Sequence, residues 1–207
     1  MATDHTPPVN QPAPRADDTA LAERCARGDR VAQRELFQRT RAAVHRTLYR
    51  VLGSNSELED LLQETYLAVF RSIASYGGRA SVLTWCCSIA AHTALSYLRR
   101  RRPIPMAVIE APSLAPAADR VLRARIAVTR LYAALDRIDP VQRVAFTLAV
   151  IDGNSLADVA ELTGASLSAV KTQVWRARAA LDKRAASDVV LAEYIEDVGP
   201  GADGEAS

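Results

Sequence analysis

Lysine is almost missing from this 207-residue chain: Lys171 and Lys183 are the only two among 26 cations, and arginine supplies the rest. That bias marks a GC-rich genome and says little about mechanism. Cysteine is as sparse. Cys25, Cys86 and Cys87 make no C-x-x-C pair, which excludes a disulfide framework and fits a reduced cytoplasmic compartment. Cys86 and Cys87 are either two small apolar residues of a packed helix or a redox pair. No apolar run approaches the ~20 residues of a membrane helix, and the amino terminus lacks a signal peptide's apolar core, so membrane insertion is not expected. A phosphate-binding loop and a nucleophile with a partner base are also missing. His45, His92 and the cysteines have no metal-ligand spacing, so no metal, no cofactor and no enzymatic activity is expected.

Net charge is nearly absent too, at +2, but the total conceals an uneven distribution. Residues 19–102 carry a net +7 and residues 120–184 a net +5, while residues 1–18, 103–119 and 185–207 carry −2, −2 and −6. Two basic bodies flanked by acidic segments point to a polyanion partner. The run Arg99 to Arg102 is the sharpest such feature, although basic helix faces are also ordinary solvated surface.

The stretch Asn154 to Leu181 organises the rest. Ser155 with Asp158 is an N-cap signal for a helix over about 156–162, Gly164 supplies a left-handed turn residue, and Ser166 can cap a second helix. In that second helix Leu167, Val170, Val174, Ala177 and Leu181 recur at helical spacing and define a buried stripe. Ser168, Lys171, Thr172, Trp175 and Arg176 face outward. Ala160, Gly164 and Val170 stand where a helix-turn-helix needs a small residue, a turn glycine and a β-branched packing residue; a plain helical hairpin is the alternative. Hydroxyls and cations at the start of the second helix favour DNA insertion.

In chain order, residues 1–17 are a proline-rich lead without a periodic apolar face. A short helix from about Asp18 ends near Gly28, and Asp29 caps a long one. Leu36, Phe37, Val44, Leu48, Tyr49 and Val51 or Leu52 form its buried side, and Gly53 stops it. Ser56 with Glu59 has capping-box spacing for the next helix, to about Ala74. Its apolar face is Leu58, Leu61, Leu62, Val69 and Phe70, while Asp60, Gln63 and Glu64 share another patch. After the loop signal Tyr76-Gly77-Gly78, a helix from Val82 to about Arg101 packs through Leu83, Ile89, Ala90, Ala94 and Leu98. It exposes Arg79, His92, Ser96 and Arg99 or Arg100 near one side. Residues 103–119 hold Pro103, Pro105, Pro112 and Pro116 and read as an extended linker. Asp139 and Pro140 then start the helix ahead of the helix-turn-helix. The acidic tail 185–207 interleaves Asp188, Glu193, Glu196 and Asp197 with apolar residues, so it is a frayed end or an amphipathic segment able to restrain a basic surface. The whole is all-α: two small helical domains, 18–102 and 120–184, joined by a proline-rich linker.

Three stretches carry a specific resemblance. SELEDLLQETYLAVFRS and TWCCSIAAHTALSYLRRRR resemble the second conserved region of the extracytoplasmic-function sigma factors of bacterial RNA polymerase, and ALDRIDPVQRVAFTLAVIDGNSLADVAELTGASLSAVKTQVWRARAAL resembles their carboxy-terminal region, in the same order and at the same distance. The resemblance implies that Asp60, Gln63 and Glu64 bind the clamp helices of the polymerase β′ subunit, with the β flap as a further contact. It implies that Arg79, Trp85, His92, Ser96, Arg99 and Arg100 serve the minus-ten element of promoter DNA. Aromatic stacking on an unpaired base contributes ~1–3 kcal/mol, and a structural core position is the other reading of Trp85. It further implies that Ser168, Lys171, Thr172, Trp175, Arg176 and Arg178 serve the minus-thirty-five element, Arg178 nearer the buried stripe. The linker would thread toward the polymerase cleft or act as a tether, and an anti-sigma factor would restrain the protein.

The chain departs from the family where promoters are read. Ala91-His92 replaces a usual Arg-Asn, Ser96 a common Asp, and Thr172-Gln173 a frequent Ser-Arg, followed by an unusual Trp175. The promoter sequence therefore does not carry over, although Gln can pair bidentately with adenine. Two other functions fit parts of the pattern. A conventional helix-turn-helix regulator would leave the Asp60-Gln63-Glu64 patch unexplained, and a sigma-like decoy for an anti-sigma factor would not bind DNA.

Overall fold

The computed structural model describes residues 16–53, 56–100, 116–188 and 191–192. Among these are eight α-helices and no strand: α1 Ala16–Ala26, α2 Arg30–Leu52, α3 Leu58–Ser72, α4 Val82–Arg100, α5 Pro116–Leu135, α6 Pro140–Phe146, α7 Leu156–Thr163 and α8 Leu167–Ala185. A 3-10 turn, Ile73–Ser75, follows α3, and α6 runs into a π-helical segment, Thr147–Ile151.

Local chemistry sets most of the helix ends. Asp29 Oδ1 accepts from the amides of Val31 and Ala32 at 2.8 and 3.1 Å, starting α2. The Arg24 guanidinium on its other oxygen, together with those amides, holds the Asp29 carboxyl below the usual carboxylate range. Gly53, at φ 75°, ends α2. A Cβ there would stand 2.8 Å from the Tyr132 ring, so close approach as well as backbone geometry calls for glycine. Asp139 caps α6 through Val141 and Gln142, with Pro140 in the first turn.

α1 to α4 enclose a core built from Leu36, Val44 and Leu48 of α2, Leu61, Leu62 and Val69 of α3, and Cys86, Ala90 and Ala94 of α4. This core continues across the chain into Val144, Leu148, Val159, Leu162 and Val170 of the carboxy-terminal half. A second, smaller core gathers Leu131, Leu135, Phe146, Ala177, Leu181 and Leu191. The two expected helical units are thus present, but they pack on one another.

A single arginine anchors the junction. Arg143, only 1% exposed, donates from Nε to the Val51 carbonyl at 2.9 Å and from Nη2 to the Leu52 carbonyl at 3.2 Å, and pairs with Asp136 through Nη1. The last carbonyls of a helix carry partial negative charge, so a cation at the end of α2 is favourably placed. Around it, the Tyr132 hydroxyl donates to the Arg50 carbonyl at 2.8 Å, and Arg50 lies 3.7 Å from Asp152.

Several expectations need correction. Ser56 and Glu59 form no capping box: α3 starts after Glu57, without a side-chain cap bond, and Glu59 instead lies 3.8 Å from Arg41 of α2. Tyr49 is exposed, because α2 buries Ala32, Thr40 and Thr47 on the stripe that Tyr49 steps away from. Leu167 is also exposed, at 46%, being the first residue of α8 and next to the exposed turn 164–166. Residues 116–119 belong to α5 rather than to an extended linker, Pro116 being tolerated in a first helical turn. Ala16 and Asp17, assigned to the lead, are helical. The remaining lead (1–15), residues 101–102, the rest of the linker (103–115) and most of the tail (189–190 and 193–207) lie outside the described residues. Where the tail is described, Asp188 pairs with Arg130 of α5 at 2.7 Å and Leu191 enters the second core, which α5, α6 and the buried side of α8 share.

Candidate nucleic-acid and partner interfaces

Three separate surfaces collect the residues singled out by sequence. On α3, Asp60, Gln63 and Glu64 are all exposed on one stripe, opposite the buried Leu58, Leu61, Leu62 and Val69. Leu67, one further turn along the stripe, is 56% exposed and was missed. Its signal was the seven-residue step from Asp60 and its absence from the buried periodicity. Glu64 accepts from Arg100 of α4 at 3.2 Å, so one residue assigned to the polymerase patch and one assigned to DNA meet at the surface. A carboxylate stripe with an apolar knob suits a basic protein surface.

The second surface is the open side of α4. At 100° per residue Trp85, Ser88, His92, Ser96 and Arg99 fall within an arc of about 80°, and His92, Ser96, Arg99 and Arg100 are exposed. α6 and α7 of the carboxy-terminal half pack on α4, yet His92, Ser96, Arg99 and Arg100 stay exposed. Trp85 is half-buried, its ring 5.5 Å from that of Tyr76 at an interplanar angle of 60°. It is therefore packed on Tyr76 while part of its surface stays accessible. Tyr76 was not singled out. Its hydroxyl donates to the Ala80 carbonyl at 2.6 Å, closing the 76–80 loop that holds Gly77, Gly78 and exposed Arg79. Arg99 also lines a cleft of about 330 Å3 with Asp136, Ile138, Pro140 and Arg143, on the side facing the carboxy-terminal unit.

The third surface is built by α7 and α8. Ser155 and Asp158 form the expected capping box, the Asp158 amide donating to Ser155 Oγ at 3.1 Å and the Ser155 amide to Asp158 Oδ2 at 3.3 Å. Gly164 stands at φ 66°; the Ala165 amide reaches the Ala160 carbonyl and the Gly164 amide that of Glu161, a Schellman turn. Ser166 then caps α8 through Ala169. Val170, Ala177 and Leu181 are buried, while Ser168, Lys171, Thr172, Trp175 and Arg176 are exposed together. Trp175 is 69% exposed. Arg178 is half-buried, as its nearness to the apolar stripe suggests. Gln173 is half-buried as well, on the far flank of that stripe, so it faces away from the centre of the exposed arc. Thr172 Oγ1 donates to the Ser168 carbonyl at 2.9 Å.

A helix-turn-helix alone leaves the other two surfaces unaccounted for, and comparison with known proteins reaches beyond that unit. Residues 36–104 match the Sigma-70 region 2 family and residues 129–181 the Sigma-70 region 4 family. The ECF RNA polymerase sigma factor SigM of Mycobacterium tuberculosis is 33% identical over 167 residues, covering 81% of this chain and 83% of that protein. SigX of Bacillus subtilis, another such factor, is 32% identical over 177 residues, covering 79% and 89%. The chain is an extracytoplasmic-function RNA polymerase sigma factor. As such it binds core RNA polymerase and directs promoter-specific initiation of transcription. This displaces the conventional regulator, which leaves the region 2 match unexplained. The fold also resembles that of CnrH, solved in complex with the cytosolic domain of CnrY, at a TM-score of 0.58 and 23% identity over 83% of this chain and 98% of that one.

Within this sigma factor, the region 2 match holds α3 and α4, and the region 4 match holds α7 and most of α8. The three cysteines are buried and unpaired. Burial drives the Cys86 thiol far above its ordinary value and pushes that of Cys87 up to about 11. A thiol must ionise to react, so burial disfavours the redox reading of this pair. Among the described residues, no helix is long and apolar enough to cross a membrane, and no three His, Cys, Asp or Glu side chains cluster as metal ligands do.

Proposed function

We propose that the three surfaces divide the work of initiation. The exposed stripe of α3, Asp60, Gln63 and Glu64 with Leu67, docks on the β′ clamp helices of core polymerase. The open side of α4, with Arg79 and the Tyr76–Trp85 platform, holds the minus-ten element: Trp85 meets an unstacked base, His92 and Ser96 face the strand, and Arg99 and Arg100 sit on phosphates. The first half of α8 enters the major groove at minus-thirty-five with Ser168, Lys171, Thr172 and Trp175, while Arg176 and Arg178 grip the backbone. The β flap supports this unit. The protein acts in the cytoplasm, catalysis belongs to the polymerase, and an anti-sigma factor restrains it, as its family resemblance implies.

The observation that carries the proposal is the simultaneous exposure of all three stripes although the two units are packed together. In vitro transcription with core polymerase on a genomic fragment library tests it. Wild type supports initiation from a defined promoter set, and Asp60→Ala/Glu64→Ala lowers core affinity and initiation together. Full initiation by the double variant would contradict the docking assignment.

A further inference from the structure

α1 lies ahead of the residues matched by the region 2 family, yet it reaches the promoter-facing loop. Asp18, in its first turn, is 2% exposed. Its Oδ1 accepts from Arg39 Nη2 of α2 at 2.7 Å, and its Oδ2 accepts from the backbone amide of Val82, the first residue of α4, at 3.1 Å. The opening amides of a helix have no partner within it. At the start of α4, Ser81 Oγ takes the Thr84 amide at 3.1 Å, and Asp18, sixty-four residues away in sequence, takes that of Val82. A carboxylate at a helix amino terminus also meets the positive end of the helix dipole.

The neighbouring residue braces the other side of the loop. A Cβ on Gly78, which adopts φ 66°, would stand 3.2 Å from Thr19 Oγ1, so α1 seats directly against the Gly77-Gly78 turn. Trp85 follows Val82 by three residues and packs on Tyr76, whose hydroxyl closes the same loop. The loop carrying Arg79 and the helix start carrying Trp85 are thus held to one external post. Arg39, itself 3.7 Å from Glu35, compensates the buried charge of that post.

We propose that Asp18 is a positioning residue for capture of the opened minus-ten strand: it fixes the start of α4 and the 76–81 loop in the arrangement that receives an unstacked base. This deepens the strand-holding role assigned to α4 and rests on it. Asp18 touches no DNA. Its effect is transmitted through Val82 and the Tyr76–Trp85 pair.

The test uses full-length protein with core polymerase and a promoter recovered by the transcription assay. The probes are the single-stranded non-template minus-ten oligonucleotide and a duplex carrying only the minus-thirty-five element. Asp18→Ala is expected to weaken retention of the single strand about tenfold, the order of factor that loss of one helix cap converts to. Core affinity and minus-thirty-five duplex binding stay at wild-type level. Asp18→Asn, which keeps an acceptor for the Val82 amide but not the charge for Arg39, loses less. Hydrogen exchange of the free protein reads the bracing itself: amides 82–85 and the preceding loop exchange faster in both variants, while those of α3 do not. Unchanged single-strand retention overturns the proposal, and so does an equal loss for all three ligands, which marks general destabilisation. If Asp18→Ala loses its cooperative thermal transition, Asp18→Asn and Arg39→Gln carry the same comparison. Failure of the parent reading is separate, since wild-type holoenzyme would then show no sequence-dependent retention of the strand.

Discussion

α1 to α4 and α5 to α8 secure their helix ends by different means. In the carboxy-terminal unit the caps are local: Asp139 for α6, Ser155 with Asp158 for α7, the Schellman turn at Gly164 and Ser166 for α8 all act within a few residues. In the amino-terminal unit local caps such as Asp29 and Ser81 are joined by remote partners. Asp18 holds the start of α4, and Arg143, from the other unit, holds the end of α2. A duplex-reading helix-turn-helix needs one rigid hairpin, which short-range capping supplies. A strand-opening surface made from a loop, a helix start and an aromatic pair needs support from several directions.

The largest test of this contrast is Arg143→Ala. Removing one partner of a buried ionic contact should cost about 3–5 kcal/mol, and takes a charged donor from Asp136 and from the Val51 and Leu52 carbonyls. Chemical denaturation should show that loss, and a value under about 1 kcal/mol would mean that solvent replaces the contact. Gly53→Ala comes next: the left-handed backbone and the Tyr132 ring together should cost about 2–4 kcal/mol in the same assay. Ser155→Ala removes a purely local cap and should cost about 1 kcal/mol, with the long-range contacts of α2 and α4 untouched. The smallest effect is a null one. Because burial raises the Cys87 thiol to about 11 and Cys86 further, alkylation of native protein at these positions should be very slow at neutral pH and climb steadily as the pH approaches 11; rapid labelling near pH 8 would show that the α4 core opens.

The same division explains what the sequence disclosed. Local signals were legible: Asp29, Asp139, Ser155, Gly164 and Ser166 act where their chemistry suggests, and the outward residues of α8 are outward. The exposure of Asp60, Gln63 and Glu64 followed from periodicity alone. What failed depended on tertiary geometry. Ser56 has the right spacing for a cap, but Glu59 is drawn toward Arg41 across the helix pair. Leu167 fits an apolar stripe, yet as the first residue of α8 it stays 46% exposed. Tyr76, Leu67, Asp18 and Arg143 carry no local mark of their roles, because their partners lie on other helices. The π segment was equally hidden: three residues after it, Asn154 bonds the Leu148 carbonyl through both its side chain and its amide.

The central claim is that three surfaces do three separable jobs, and one series measures it most directly. Asp60→Ala/Glu64→Ala, Trp85→Ala and Lys171→Ala/Arg176→Ala are compared on one promoter for core affinity, for permanganate reactivity of the minus-ten bases, and for duplex binding against salt. The account predicts that the first variant loses core affinity, the second keeps it and loses strand opening, and the third lowers the salt slope by about 0.9 per phosphate contact removed without losing core affinity. A common loss of all three activities in every variant would contradict it.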